Sequence, residues 1–320
     1  MNSRKMILSV AALMAGAAAT AQAQEYPTKP IRLVTVEVGG GNDGVARLLA
    51  QSISPGLGHQ VIADNRGGAN GILAVDNVAK SAPDGYSLLS YSGAMWTLPL
   101  MQSVPYDSVR DFAPISLSVM SPNVLVVHPS LGINTVRELI AMAKAKPGAL
   151  NYASVASGSS GHLSSELFKS MAGVDIVRVL YKGGGPAMTD LVSGRVQVSF
   201  SSAASTMRFV QTGKLKALAV SSAKPSELAP GIAPVATEGL PGFEMVSQYG
   251  FFAPAKTPTA IINRLYQETA KSLRTPQAKQ LALNQGAEVV ASTPQELANV
   301  VKSEQAKLGK LIKEANITND

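Results

Sequence analysis

Residues 31–44 read IRLVTVEVGGGNDG, an apolar run followed by a glycine-rich turn. The apolar run, residues 31–36, has the composition of a strand. After the turn, Val45, Leu48 and Ile53 recur at the spacing of one helix face. A glycine loop between a strand and a helix leaves backbone N–H groups uncovered at the positive end of the helix. The segment therefore predicts an α/β fold with a loop that binds a phosphate, a pyrophosphate or a carboxylate.

The same glycines permit a different interpretation. Gly39-x-Gly41-x-x-Gly44 matches the dinucleotide fingerprint, and Asp64 follows at about the distance where that motif places its ribose-binding acid. An NAD-dependent oxidoreductase is therefore one alternative. A tight turn that binds no ligand is another, because glycine-rich turns between strands and helices are common.

Composition narrows the class of protein. The chain has 320 residues, of which 46% are hydrophobic and 15% charged, as in a globular protein of two domains. It contains no cysteine, which excludes disulfides and a thiolate nucleophile. His59, His128 and His162 are too far apart for a zinc motif, so we expect no metal and no cofactor. The net charge of +7 suits an anionic ligand, and the lack of a dense basic run argues against a nucleic-acid partner.

The amino terminus indicates export. Arg4 and Lys5 precede a small, apolar run over residues 6–19, and Ala21-Gln22-Ala23 is an A-x-A cleavage site. This is the pattern of a secretory signal peptide, which is shorter than a membrane span. We expect residues 1–23 to be removed near Ala23 and the mature protein to be periplasmic, without a lipid anchor because no cysteine follows.

Strand and helix signals alternate along the first part of the mature chain. They predict strands at residues 31–36, 60–63 and 86–90 and a helix at residues 70–80, which together favour a parallel sheet with helices on its faces. The loop from Ser92 to Thr97 follows the third strand, and ligands of such sheets lie beyond the carboxyl ends of strands. Ser92 is therefore a candidate ligand contact, whereas Trp96 is expected to be a buried packing residue.

The alternation restarts after an apolar strand at residues 123–128. Three later strands are each followed by small or polar residues at the start of a helix. These segments are Ala156 to His162 after residues 151–155, Tyr181 to Gly185 after residues 176–180, and Ser201 to Thr206 after residues 196–200. They predict a second anion-binding rim, and two facing rims would form a cleft.

Threonine–proline pairs mark helix starts in the last part of the chain. Thr257, Thr275 and Thr293 each precede a proline, which predicts an N-cap followed by proline in the first helical position. Glu296 completes a capping box with Thr293. A short strand at residues 251–254 is expected before the first of these helices.

A set of motifs in this order carries a family resemblance. The motifs are Tyr26-Pro27-Thr28-Lys29-Pro30-Ile31, Gly39 to Asp43 with Ala46-Arg47-Leu48-Leu49, Asn65-Arg66-Gly67-Gly68, Ala79 to Tyr86, Gly158 to Leu163, Tyr181 to Ala187, and Phe252-Ala253-Pro254. They extend over essentially the whole chain. The chain resembles a solute receptor of the tripartite tricarboxylate transporter system, the Bug family.

The resemblance implies a two-lobed α/β periplasmic binding protein that closes over its ligand like a clamshell. It implies a first lobe of residues 24–124 and 250–320, and a second lobe of residues 125–249. The ligand would be a small organic acid whose carboxylate is held by backbone N–H groups of two facing loops. The implied ligand-binding residues are Gly39, Gly40, Gly41, Asn42 and Asp43 in the first loop, Ser157, Gly158, Ser159 and Ser160 in the second, and Tyr181, Lys182 and Gly183 beside it.

Two positions depart from the family pattern and are further candidate contacts. Glu37 stands where the family has a proline-rich approach to the first loop, and Ser201 stands where it often has an aspartate. Moving a carboxylate from one wall to the other should change which ligand groups are accepted. Unless its side chain faces solvent, Glu37 favours a ligand with an amine, amide or hydroxyl near its carboxylate.

The expected function is capture of a small organic anion and its delivery to the permease subunits of a secondary transporter, by a monomer without catalytic residues. Ser159 and His162 suggest a hydrolase, but neither a third residue nor a G-x-S-x-G elbow accompanies them. Asp43 is expected to act mainly at the helix N-terminus. Signalling to a sensor kinase is an alternative, because the sequence does not distinguish the two partners.

Overall fold

The computed structural model describes residues 26–36, 38–39, 41–155 and 157–317. The predicted signal peptide lies outside these ranges, as do Glu37 and Gly40. The described strands are β1 (Ile31–Thr35), β2 (Val61–Asn65), β3 (Ser87–Ser92), β4 (Phe112–Val127), β5 (Asn151–Ser154), β6 (Val177–Leu180), β7 (Val198–Ser202), β8 (Lys216–Val220), β9 (Val246–Pro254) and β10 (Glu288–Val289). The described α-helices are α1 (Gly41–Leu57), α2 (Ile72–Ala79), α3 (Ala94–Thr97), α4 (Val136–Ala145), α5 (Ser160–Ala172), α6 (Gly184–Val192), α7 (Ala203–Gln211), α8 (Val235–Glu238), α9 (Thr259–Leu273), α10 (Pro276–Asn284) and α11 (Pro294–Glu314).

The strands form one sheet region in each lobe, and the two regions share strand β4. The order in the first lobe is β2-β1-β3-β9-β4, with β10 beside β4, and the order in the second is β4-β7-β5-β6, with β8 also paired with β4. Strand β1 is parallel to β2 and β3, and β5 is parallel to β6 and β7. This arrangement confirms the predicted two-lobed α/β class.

Two long strands run near the boundary of the lobes. Strand β4 pairs antiparallel with β9 from Phe112 to Pro122 and with β7 from Asn123 to Val127. The predicted strand at residues 123–128 is therefore only the last third of β4, and the predicted strand at residues 251–254 is only the end of β9. The first half of β4 escapes prediction because prolines and serines interrupt its apolar pattern.

Each lobe has its own hydrophobic core, and helix α11 contributes to both. In its first half, Leu297 and Val301 pack with Trp96 in a core of the first lobe. In its second half, Leu308 and Leu311 belong to the core of the second lobe. The last helix therefore ties the lobes together from behind.

Local capping signals set several helix starts. Thr293 caps α11 in the predicted capping box, and Thr275 caps α10. Helix α9 differs from the prediction because it begins at Thr259, so that Pro258 occupies the N-cap and not the first helical position.

The segment after β3, predicted as a loop, contains the short helix α3. Trp96 in this helix is buried and meets the ring of Phe252 edge-on, with centroids 6.3 Å apart. Its predicted role as a packing residue is confirmed. Among the described helices, none has both the length and the apolar character needed to cross a membrane.

Leu311→Ala tests whether α11 secures the second lobe. Because Leu311 is 3% exposed, we expect its truncation to lower the free energy of unfolding by about 2–5 kcal/mol in urea titrations. Leu297→Ala, in the half of the helix that packs on the first lobe, is the matched variant and should cost a similar amount. A loss below about 0.5 kcal/mol for Leu311→Ala would contradict the packing described for α11.

Candidate functional site: the cleft between the lobes

The two lobes enclose a cavity of about 650 Å³, here called the cleft, beyond the carboxyl ends of strands β1, β3, β5 and β6. The first lobe contributes Val36, Asn42, Asn70, Tyr91, Ser92, Ala94, Thr97, Leu98 and Met101, and the second contributes Val155, Ser157, Gly158, Ser159, Leu180, Tyr181 and Lys182. Ligands of open α/β sheets bind at this end of the strands. The structure thus brings both predicted loops to one cavity.

Asp43 holds the first loop together from inside. It is 4% exposed, and its carboxylate accepts the N–H of Gly39 and the side-chain amide of Asn65, each at 2.9 Å. It also pairs with Nε of Arg47 at 2.9 Å. These contacts lie in the first turn of α1, where the helix dipole favours a negative charge. The predicted role at the helix N-terminus is confirmed, and the carboxylate is not part of the cleft wall.

The environment of Asp43 keeps this carboxyl group ionised. Burial alone would raise its pKa, but hydrogen bonds from Arg47, Gly39 and Asn65 outweigh that effect and lower the pKa below its ordinary value of 3.8. The same bonds occupy the N–H of Gly39. In this arrangement the first loop has one fewer backbone donor for a ligand than its sequence suggests.

Asn42 connects the first loop to the end of β3. Its Oδ1 accepts the N–H of Ser92 at 2.9 Å, and both residues line the cleft. With the oxygen engaged, the NH₂ group of Asn42 is the donor left for a ligand. The part of the cleft wall from the first lobe therefore offers a side-chain donor in addition to its backbone N–H groups.

Ser159 and His162 close the second loop. The Oγ of Ser159 caps α5 by accepting the N–H of His162 at 3.3 Å, and Nδ1 of His162 accepts the N–H of Gly158 at 3.0 Å. Gly158 has φ of +73°, a left-handed conformation that suits glycine. These are the bonds of a helix cap and do not pair a nucleophile with a base.

Close packing fixes where α5 starts. A Cβ atom added to Gly161 would lie 2.5 Å from the carbonyl oxygen of Phe200, which is closer than van der Waals contact allows. The backbone of α5 therefore approaches β7 at a distance that only glycine permits. This contact sets the position of the second loop in the cleft.

Two cationic side chains lie at the part of the cleft wall that the second lobe contributes. Lys182 lines the cleft, is exposed, and forms no ion pair within the described residues. Arg178 donates to Oγ of Ser157 at 2.9 Å, which places a guanidinium behind the loop. Tyr181 donates its hydroxyl to Asp190 at 3.0 Å, and burial together with that bond raises its pKa. Because the described part of the cleft wall contains no acidic side chain, the cavity favours an anion.

The remaining predicted ligand contacts do not line the cleft in the described structure. Ser160 and Ser201 line a neighbouring pocket of about 440 Å³ in the second lobe. Gly39, Gly41 and Gly183 are not in the wall of the cleft. Their role as ligand contacts stays a prediction, as does that of Glu37 and Gly40, which lie outside the described residues.

The cleft also contains residues that the sequence did not single out. Val155 and Leu180 stand at the ends of β5 and β6, and the strand-end rule that selected Ser92 could have found them. Leu98 and Met101 come from the turn after α3, for which the sequence carries no signal. These four side chains make a large part of the wall apolar.

Asp64, which the dinucleotide interpretation requires, is engaged within the protein. Its Oδ2 lies 2.9 Å from Nε of Arg66 and 3.4 Å from Nη1 of Arg32, outside the cleft wall. The N–H of Gly39 is donated to Asp43. The carboxylate of Asp64 and the N–H of Gly39 are thus both bonded within the protein. The geometry therefore favours a small anion, such as a carboxylate, over a dinucleotide. Within the described residues there is no group of three metal-ligating side chains that could hold an ion.

Comparisons with known proteins agree with this geometry. The family model described as "Tripartite tricarboxylate transporter family receptor" matches residues 45–317. The chain is 34% identical over 312 residues to Protein BugT of Bordetella pertussis, covering 96% of each chain. The solved structure of R. palustris Rpa4515 with adipate has 34% identity and a TM-score of 0.75, covering 92% of this chain and 99% of that one. MatC from Rhodopseudomonas palustris with bound malate has 26% identity and a TM-score of 0.70, covering 90% and 100%.

Asp43→Asn tests the hydrogen bonds and the ion pair that Asp43 makes inside the first loop. A lowered pKa in the folded state means that the ionised group stabilises the protein above its unfolded pKa, and that this contribution is lost as the pH falls through the folded pKa. We expect Asp43→Asn to cost about 1–3 kcal/mol near neutral pH. The difference from the unmodified protein should shrink as the pH falls below about 4.

Urea unfolding at several pH values measures this effect. Asp175→Asn, at an exposed position with no ion pair in the described structure, is the control and should cost little at any pH. A penalty for Asp43→Asn that is independent of pH would refute the ionised network.

Gly161→Ala tests the close approach of α5 to β7. The new methyl group must displace the backbone of Phe200, so we expect a loss of about 1–3 kcal/mol in the free energy of unfolding. Gly185→Ala, at the equivalent place in α6 with nothing within 4 Å of the added atom, should be neutral or slightly stabilising. Equal effects of the two substitutions in chemical denaturation would rule out the proposed packing constraint.

Proposed function

This chain belongs to the tripartite tricarboxylate transporter receptor family, and we propose that its cleft captures a small organic carboxylate. It is a periplasmic solute-binding receptor, as its family is. The ligand contacts that we propose are Asn42 and Ser92 on the first lobe and Ser157, Gly158, Ser159, Tyr181 and Lys182 on the second.

One observation carries this proposal. Two loops at helix N-termini, one from each lobe, meet in a single cavity that also contains Lys182, a cation with no ion pair among the described residues. Helix N-termini offer backbone N–H groups and a positive dipole end to an anion. A carboxylate between the loops would gain contacts from both lobes at once.

The solved relatives support the same ligand class. R. palustris Rpa4515 is described with adipate and MatC with malate. Both molecules are small organic acids, and both proteins share the fold of this chain over 90% of its length or more. A carboxylate is therefore the first ligand to test.

Ligand capture would proceed by closure of the lobes. We place the hinge where β4 changes partners, between Pro122 and Asn123, and at the start of β9 near Val246. These points lie close to the predicted lobe limits, residues 124/125 and 249/250. Closure is favoured when the ligand makes contacts with both loops that the open form does not provide.

We infer the partner and the processing of the chain by analogy with its family. The receptor would act as a monomer, deliver its ligand unchanged to the membrane permease subunits of a secondary transporter, and catalyse no reaction. The signal peptide would be removed near Ala23 before the protein folds in the periplasm.

A binding screen of the mature chain, residues 24–320, tests the ligand class. Mono-, di- and tricarboxylates, amino acids and NADH are compared by thermal shift and then by calorimetric titration. A ligand at 100 times its dissociation constant should stabilise the fold by about 2.7 kcal/mol. Binding of a carboxylate supports the proposal. Binding of NADH but of none of the acids overturns it.

Lys182→Gln tests the cation in the cleft. Because Lys182 has no ionic partner in the described protein, its loss should weaken carboxylate binding by about threefold to tenfold, and less at high salt. Lys279→Gln, which removes an equal charge from the outer helix α10, is the matched control and should leave affinity unchanged. If both substitutions weakened binding equally, general electrostatic attraction would replace the proposed contact.

A further inference from the structure

The charge in the cleft wall suits a ligand with one anionic group. Among the described residues that line the cleft, Lys182 is the one cation, and none is an aspartate or a glutamate. Arg178 lies behind Ser157 and is not part of the lining. One carboxylate can pair with Lys182 at the two loops, but a second carboxylate on the same molecule would meet no further cation along the described wall.

Several hydroxyls of the cleft wall already donate their hydrogen within the protein. Thr97 donates to the carbonyl oxygen of Gly93 at 2.9 Å, and Tyr91 donates to the carbonyl oxygen of Asn70 at 2.7 Å. The hydroxyl of Tyr181 is donated in the same way, to Asp190. A hydroxyl carries a single hydrogen, and a carboxylate only accepts hydrogen bonds. These hydroxyls therefore do not replace the missing cation for a second carboxylate.

An exposed apolar patch lies in the second lobe's part of the same wall. Its members are Val155, which is 42% exposed, and Leu180, which is 55% exposed. They stand at the carboxyl ends of the neighbouring parallel strands β5 and β6, where Ser154 is the strand partner of Leu180. Large apolar side chains that are exposed together mark a surface that a ligand or a partner covers.

Apolar side chains of the first lobe line the cleft together with this patch. Leu98 and Met101 belong to the same cavity. A Cβ atom added to Gly158 would lie 2.5 Å from Cε and 3.1 Å from Sδ of Met101, so the thioether of the first lobe reaches the second loop. Because both lobes contribute apolar side chains to one cavity, the molecule that covers the patch is the ligand in the cleft.

We propose that the cleft selects monocarboxylic acids with an apolar body, an aromatic ring or an alkyl chain, over acids that carry a second charged group. The inference rests on the proposed capture of a carboxylate in the cleft. The carboxylate lies at the two loops with Lys182, and the apolar body lies against Val155, Leu180 and Met101. A second carboxylate placed against these side chains would lose its water without gaining a partner, whereas an apolar group is stabilised there.

Pairs of acids that differ by one charged group test the selection. Hexanoate is compared with adipate, and 4-methylbenzoate with terephthalate, by calorimetric titration into the mature protein. The monocarboxylate of at least one pair should bind at least about tenfold more tightly than its dicarboxylate, and the pair that binds better identifies the body as an alkyl chain or an aromatic ring. Equal or tighter binding of the dicarboxylates would overturn the selection and leave carboxylate capture in place. Failure of all four acids to bind would count against both proposals.

A chain-length series tests the apolar wall by itself. Straight-chain monocarboxylates from four to eight carbons are titrated under the same conditions. Each added CH₂ group should tighten binding about threefold until the body fills the space, because each one is moved from water to apolar side chains. An affinity that does not change along the series would contradict the apolar contacts.

Leu180→Asn locates the contact with the apolar body. It should weaken binding of octanoate by about fivefold or more and that of butanoate by less than about twofold, because only the longer acid reaches beyond the loops. Val177→Asn is the matched control, since Val177 lies in the same strand, is 43% exposed and does not line the cleft. It should change neither affinity. Equal weakening of the two acids by Leu180→Asn, or equal effects of the two variants, would contradict the assignment.

Leu180→Lys supplies the cation that the wall lacks. Because Leu180 is exposed, the substitution should leave the melting temperature close to that of the unmodified protein. The ratio of adipate affinity to hexanoate affinity should rise by about fivefold or more, since the second carboxylate then has a partner. Val177→Lys adds the same charge outside the cleft and should leave this ratio unchanged. An unchanged ratio in Leu180→Lys would overturn the proposal that the missing cation sets the selection.

Discussion

The continuous path of strand β4 is the constraint on which the rest of the structure depends. Hydrogen bonds along Phe112–Pro122 place it in the sheet of the first lobe, and those along Asn123–Val127 place it in the sheet of the second. A single strand therefore sets the distance and the relative direction of the two sheets. The carboxyl ends of the parallel strands on either side then open towards the same space.

Within that space, hydrogen bonds inside each loop fix the groups that meet a ligand. Asp43 uses one backbone donor of the first loop, and His162 uses one of the second. These bonds leave fewer donors than a count of glycines suggests, but they hold the remaining ones in place before a ligand arrives. A preorganised loop loses less conformational entropy on binding, which favours affinity at a small number of contacts.

The parts of the fold that depend on local chemistry could be predicted from the sequence. The β1–loop–α1 unit, the cap of α11 by Thr293 and the burial of Trp96 follow from spacing, capping and residue type. The first half of β4 could not be predicted. Pro114 and Ser116 break its apolar pattern, and tertiary pairing with β9, including a register shift at these residues, makes the segment a strand.

The candidate site shows the same division. The loop residues Asn42 and Ser159 could be selected because small polar residues at strand ends have a local signature. Leu98 and Met101 could not, since they lie in a turn for which the sequence carries no signal, and only the fold brings them into the cleft wall. Gly39 was selected for a free N–H that in the structure is donated to Asp43. Such donations depend on side-chain geometry that glycine spacing does not contain.

The most direct test of the account is amide hydrogen exchange of the mature protein with and without a saturating carboxylate. Exchange reports the local opening of each segment, so a ligand held by both lobes should slow it at both loops. The account predicts simultaneous protection of residues 38–45 and residues 157–163. Protection of one loop without the other, or of a surface outside the cleft, would contradict the claim that the two lobes share the ligand.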